Sequence, residues 1–129
     1  MLFRIEPSST TPIYDQIVAQ VIFGIAARTL EVGKLIPSVR DLAVMLEVHP
    51  NTVARAYQEL ERKGVVTARR GRGMEVTHEA PRIAVQERQE ILRRRLRDAL
   101  REAVTSALPM EDIRRLVEEE LTRVNGQVK

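Results

Sequence analysis

Ile36-Pro37-Ser38-Val39-Arg40-Asp41-Leu42-Ala43 and, a few residues on, His49-Pro50-Asn51-Thr52-Val53-Ala54-Arg55-Ala56-Tyr57-Gln58-Glu59-Leu60-Glu61-Arg62-Lys63-Gly64 hold two helix starts and one helix stop. Ser38 followed three residues later by an acid is an N-terminal capping signal. Leu42, Ala43 and Leu46 then form the buried stripe of a short helix. Glu47-Val48 leaves room only for a tight connection. His49-Pro50 opens the next helix, with proline in the first turn, where no intrahelical partner awaits its missing N–H. Val53, Ala56, Tyr57 and Leu60 make its inner face, and Gly64 after Arg62-Lys63 ends it. Two short helices around a tight turn predict a helix-turn-helix.

The flanks extend this unit. Residues 1–10 read as an arm, and Thr11-Pro12 as the start of a preceding helix, with the hydroxyl as cap. Ile13, Ile17, Val21 and Ile25 recur every four residues, widened by Tyr14 and Val18, and the helix should end before Gly33. Leu35-Ile36, between Gly33 and Pro37, suits a brief strand. After Gly64, Val65-Val66-Thr67-Ala68 and Met74-Glu75-Val76-Thr77 read as two strands around the basic turn Arg69-Arg70-Gly71-Arg72-Gly73. Helix, brief strand, helix, turn, helix and basic hairpin spell a winged helix-turn-helix. That arrangement suits duplex DNA: the third helix enters the major groove and the hairpin tip reaches neighbouring phosphates or the minor groove.

Beyond the expected linker 78–81 the texture changes. Residues 82–107 lack Gly and Pro, and Val85, Gln89, Leu92, Leu96, Ala99, Ala103 and Ala107 fall three or four apart. Leu108-Pro109 breaks the run. Met110, Ile113, Val117, Leu121 and Val124 form a second stripe, with Asn125-Gly126 expected to end it and the last three residues expected to fray. The fold class is therefore mainly α with a small β-hairpin: a winged helix over 1–77 followed by a two-helix dimerisation hairpin over 82–129. Such a pair buries little by itself, so its stripes call for a partner. Ile22, Phe23, Val44 and Met45 sit where charges are expected on a winged helix, and contact with the C-terminal helices would account for them.

Composition excludes several classes. The 129 residues carry 21 Lys+Arg against 18 Asp+Glu, a net charge of +3, with no cysteine and no tryptophan. That balance is mildly basic, so local clustering is more informative than the total. No disulfide framework or thiolate chemistry is available. No apolar run approaches a membrane span, and the N-terminus lacks the apolar stretch of a signal peptide, so the expectation is a cytoplasmic protein without a membrane partner. No phosphate-binding glycine loop, triad or metal cluster forms, so neither an enzyme nor a cofactor is expected.

Pro12-Ile13-Tyr14-Asp15-Gln16-Ile17, the two quoted helices and the Arg69-to-Gly73 turn closely resemble the DNA-binding domain of GntR-family transcriptional regulators, over residues 10 to 77. The Pro-Asn-Thr-Val-Ala-Arg-Ala-Tyr run and the short helical C-terminus resemble the YtrA branch. The resemblance implies a bacterial homodimer, often a repressor, on a two-fold-symmetric operator. It leaves a small-molecule effector open. It also implies that Arg40 contacts phosphate. Three positions depart from the family pattern. Glu47 holds the turn position usually given to glycine, where a left-handed conformation costs on the order of 1 kcal/mol. Pro50 and Ala54 stand where other branches place DNA-contacting arginines, so base reading must fall elsewhere.

The residues themselves offer candidates. Asn51, Arg55, Gln58 and Arg62 lie opposite the inner face of the third helix. Asn51 suits adenine, Arg55 guanine or phosphate, and Thr52 a phosphate or a thymine methyl. Ser38 and its helix's free amides suit phosphate. His49 suits a cap, DNA contact or simple exposure. Arg69, Arg70, Gly71 and Arg72 form the wing tip. Arg62 also reads as solvated helix surface, and the Arg93-Arg94-Arg95-Leu96-Arg97 cluster reads either as such a surface or as an addition to DNA binding. A protein-interaction winged helix without DNA binding is the competing reading, distinguished by the steep salt dependence of phosphate contacts.

Overall fold

In the computed structural model, residues 3–128 are described. Met1, Leu2 and Lys129, which fall in the expected arm and frayed end, lie outside them. The element order is α1 (Ile13–Ala26), α2 (Val39–Leu46), α3 (Pro50–Lys63), β1 (Val66–Arg69), β2 (Gly73–Val76), α4 (Ala80–Thr105) and α5 (Met110–Val128). Two compact units divide at Ile91 and Leu92.

The first unit is the winged helix. Its core joins Ile17, Val21, Ile22 and Ile25 of α1, Leu42 of α2, Val53, Ala56, Tyr57 and Leu60 of α3, and Val66 and Val76 of the hairpin. Each is an aliphatic or aromatic residue at helical or alternating spacing, so burial follows the sequence pattern. Ile22 corrects an expectation. It is fully buried, because α1 packs more than one face, and Phe23 is half-buried against the same core. Val44 and Met45 do stay on the surface, 72% and 58% exposed.

The helix termini around the α2–α3 turn follow local chemistry, and the start of α1 does not. Ser38 Oγ accepts from Asp41 N at 3.0 Å, as expected of the α2 cap. Glu47 adopts the left-handed conformation (φ 56°, ψ 46°), and Val48 N then donates to Ala43 O, closing the turn between α2 and α3. The start of α1 differs from expectation. Pro12 is the capping residue and no side chain caps the helix, so Thr11 does not act as one. Gln16 ties the arm instead: its Nε2 donates to Glu6 O and Thr11 O, and its Oε1 accepts from Glu6 N. Phe3 thereby reaches the core.

β1 and β2 pair antiparallel, with Val66 opposite Val76 and Arg69 opposite Gly73. Leu35 makes an isolated bridge to Glu75, and Ile36 N donates to Met74 O, so the expected brief strand survives as a single rung beside the hairpin.

Of the expected linker at 78–81, His78 and Glu79 form a turn, and Ala80 and Pro81 are already helix. α4 begins at Ala80, with Pro81 in its first turn, where the missing N–H has no intrahelical partner to lose. Ala80, Ala84 and Ile91 are buried and Ile83 packs against the core, so the first three turns of α4 belong to the winged-helix unit. Thr77 Oγ1 donates to Gly64 O at 2.6 Å, and Lys63 Nζ pairs with Glu87 at 3.1 Å, fastening the end of α3 to this segment.

The second unit holds the rest of α4 and α5. Ala107, at φ +63°, turns the chain after Ser106 Oγ bonds Glu102 O. α5 runs through Asn125-Gly126 rather than ending there. In its last turn the carbonyls lack helical partners anyway, so the weak helix formers cost little there. Leu92, Leu96, Val104, Leu116, Leu121 and Val124 are all exposed. Ile113 is already buried within the single chain.

Candidate nucleic-acid interface

α3 carries the centre of the site. Its inner face is buried, while Asn51, Arg55 and Gln58 are exposed on the other side. His49 is the capping residue: Asn51 N donates to its Nδ1 at 3.0 Å. Thr52 N donates to His49 O, so the first turn is firmly closed, with the Thr52 side chain half-buried and Asn51 open.

Tyr57 sets the relation of α3 to α2. Its hydroxyl donates to Pro37 O at 2.7 Å, immediately before the Ser38 cap. Burial pushes the Tyr57 hydroxyl well above the ordinary tyrosine range. It therefore stays a neutral donor at any physiological pH. That bond holds the start of α2, with exposed Ser38 and Arg40, against the helix bearing Asn51 and Arg55. α2 also packs along α3, as does α1.

Arg55 is not a loose charge. Its guanidinium lies over the Tyr14 ring, 3.7 Å from the centroid. Arg62, further along, is held bidentately by Glu59 at 2.8 and 3.0 Å, the pairing expected of a solvated helix surface. The Arg62 hydrogen bond, opposed by some burial and aided by the charges of Arg62, Lys63 and Arg55, lowers the Glu59 carboxyl below its ordinary value.

The wing turn closes when Arg72 N donates to Arg69 O at 2.9 Å, with Gly71 at φ +78° and Gly73 at φ +120°. These conformations are open to glycine at little cost. Arg69 and Arg72 both bond Glu75, whereas Arg70 carries no ion pair among the described residues. β1 packs on α3, so the hairpin is fixed to the same helix as the exposed polar face.

The sequence singled out neither Glu75 nor Tyr14 as partners of these arginines. The signal for Glu75 was an acid in a strand three residues after Arg72. The Tyr14–Arg55 contact joins separate helices and leaves no local trace. Among the other expected residues, Val85, Leu92, Leu96, Ala99 and Leu121 are exposed, and Ala103 and Val117 half-buried. None of the long helices is long and apolar enough to cross a membrane, among the described residues.

Comparison with known proteins agrees with this architecture. Residues 13–76 match the bacterial regulatory proteins of the gntR family. The chain is 32% identical over 128 residues to the HTH-type transcriptional repressor YtrA of Bacillus subtilis (strain 168), covering 99% of this chain and 98% of that protein. Among solved structures, a GntR family transcriptional regulator from Listeria monocytogenes superposes with a TM-score of 0.65 at 31% identity, over 89% of this chain and 98% of that one. YtrA from Sulfolobus acidocaldarius, a GntR-family transcription factor, gives a TM-score of 0.57 at 31% identity, over 95% and 99%. These relatives are transcriptional regulators rather than enzymes. With a winged helix, a glycine-flanked basic wing and a short helical C-terminus in the same order, this chain belongs to the GntR family of transcription regulators, in its YtrA-like branch.

Proposed function

We propose that the chain is a cytoplasmic repressor that binds a two-fold-symmetric operator as a homodimer. The observation that carries the DNA reading is the division of α3: one face fully buried, the other exposing Asn51, Arg55 and Gln58 beside a capped first turn. In this reading Asn51, Thr52 and Arg55 meet base edges, with the phosphates held by Ser38, Arg40 and His49 near the helix starts and by Arg69, Arg70, Gly71 and Arg72 on the wing. The relative named a repressor spans nearly the whole chain, which supports the sign of regulation.

The dimer rests on the second unit. Leu96 and Leu121 are 56% and 59% exposed, each within an aliphatic stripe that the single chain covers only in part, at Ile113 and, less fully, at Ala103 and Val117. Large exposed apolar stripes on a helix pair mark a partner-binding surface. Leu92, Leu96, Ala99, Ala103, Val117 and Leu121 line that surface in this reading, and Val85 continues the α4 stripe on the first unit. Ile113 supports it from within. A dimer doubles the half-sites read, which one winged helix needs to discriminate among genomic sites.

Footprinting of the purified protein across its own promoter region tests the proposal. Two protected half-sites related by a dyad, centred about one helical turn apart or a multiple of it, are expected. A single asymmetric half-site at saturating protein would overturn the dimeric reading, and salt-insensitive binding would overturn the phosphate contacts.

A further inference from the structure

Glu75 is an acid at the base of a basic wing, and only 9% of its surface is exposed. The strand register explains where it lies. Thr67 is opposite Glu75, and Arg69 opposite Gly73, so Arg69 and Glu75 are diagonal neighbours on one face of the hairpin. Arg69 Nε donates to Glu75 Oε2 at 2.9 Å, and Arg72 Nη1 stands 3.1 Å from Oε1. Each carboxylate oxygen thus holds one arginine. The Leu35–Glu75 bridge and the Ile36 N to Met74 O bond fix the strand that carries the acid.

The arginines differ from the acid in exposure. Their side chains are 58% and 60% exposed, against 11% for that of Glu75. A guanidinium has five N–H donors, so one bond to Glu75 leaves most of them for an outside anion. Withdrawing both arginines would strand a buried carboxylate without a partner, which is costly. A phosphate must therefore accept the two guanidinium groups where they stand.

Resting on the DNA-binding reading above, we propose that Glu75 is a specificity-determining positioning residue of the wing. It pins Arg69 and Arg72 as a fixed pair, so that the wing fits a duplex of matching backbone shape and loses indiscriminate attraction for phosphate. Arg70, outside the clasp, supplies the unspecific part.

The test compares wild type, Glu75→Gln, Arg69→Ala/Arg72→Ala and the triple variant by fluorescence anisotropy over a salt series. Two duplexes of about three helical turns serve as probes: a random-sequence pool, and the sequence that the wild type enriches from that pool. Glu75→Gln is expected to bind the random pool roughly three- to tenfold tighter at about 0.1 M salt, with a salt slope steeper by about one unit. Affinity for the enriched duplex rises less, so the ratio of enriched to random falls by roughly threefold or more. In the background without Arg69 and Arg72, Glu75→Gln leaves that ratio unchanged. A ratio unchanged by Glu75→Gln in the native background overturns the proposal. So does an equal change with and without the two arginines, which would make Glu75 a bare charge. Circular-dichroism melting checks folding, and Glu75→Met, uncharged and of similar length, replaces the amide should it not fold. Failure of the wild type to bind the random pool or to enrich any sequence from it would overturn the DNA reading itself, an outcome distinct from normal binding with an unaltered ratio.

Discussion

The guanidinium of Arg55 stacks on the ring of Tyr14, joining the exposed face of α3 to the first turn of α1. An exposed cation–π contact contributes about 0.5–1 kcal/mol. It also limits the positions from which Arg55 can meet a duplex. Tyr14→Leu and Arg55→Ala, alone and together, are expected to show a coupling of about that size in urea melts. Tyr14→Leu alone should weaken operator binding a few-fold, because Arg55 must then be ordered at the moment of contact. Additive melts with unchanged operator affinity would make the stack incidental.

Tyr57→Phe removes the hydroxyl that bonds Pro37 O. A loss of about 1 kcal/mol is expected, since an acceptor beside the α2 cap loses its donor. The raised folded-state value of this tyrosine adds a pH dependence. The unfolded chain ionises first, so the stability tied to Tyr57 is full below about pH 10 and is lost as pH rises beyond it. Thermal melts of wild type from neutral to strongly alkaline pH should fall along that limb, and the fall should be shallower in Tyr57→Phe.

Asn51→Ala and Arg70→Ala should separate base reading from charge. Asn51→Ala is expected to cost roughly 1–3 kcal/mol on the enriched duplex and far less on a random one. Arg70→Ala should weaken both equally and flatten the salt slope by about one unit. Anisotropy titrations on the two duplexes decide; equal losses for Asn51→Ala would make it a backbone contact.

The folding unit does not end with the hairpin. Truncation after Pro81 removes Ile83, Ala84 and Ile91 from the core and Glu87 from Lys63. We expect a chain ending there to be less stable, by on the order of 3–5 kcal/mol, than one ending at Ile91. Urea unfolding of the two fragments measures the difference, and equal midpoints would show that the first turns of α4 add nothing.

Leu96→Glu should change monomer stability by no more than about 0.5 kcal/mol, because the side chain is exposed in the single chain. Self-association should weaken sharply, since a buried seam would have to desolvate a carboxylate. Sedimentation at micromolar concentration reads the outcome. A variant that remains dimeric would place the seam elsewhere.

The helix-turn-helix was readable because its signals are local: the Ser38 cap, His49-Pro50, the left-handed Glu47 and the Gly64 stop each depend on neighbours within one turn. Distant packing leaves no such local trace. The period-four stripe places Ile22 at the surface, yet α1 is enclosed on several sides, which such a stripe does not convey. Pro81 and Gly126 look like breaks in the sequence, although near a helix end a residue without N–H, or with weak propensity, costs little. The link of Glu75 to Arg69 depends on strand register, which the sequence alone does not display. For Tyr14 and Arg55 the needed knowledge was how α1 lies against α3.

The His49 cap also selects a tautomer. Nδ1 accepts from Asn51 N, so its lone pair is directed into α3 and the ring proton sits on Nε2. The exposed ring thereby presents its Nε2–H at the mouth of the helix. A carboxylate or carboxamide at this position would close the helix equally well, but a carboxylate would turn only acceptors outward. Histidine thus gives the same residue two orthogonal duties, one lone pair for the fold and one proton for whatever approaches it.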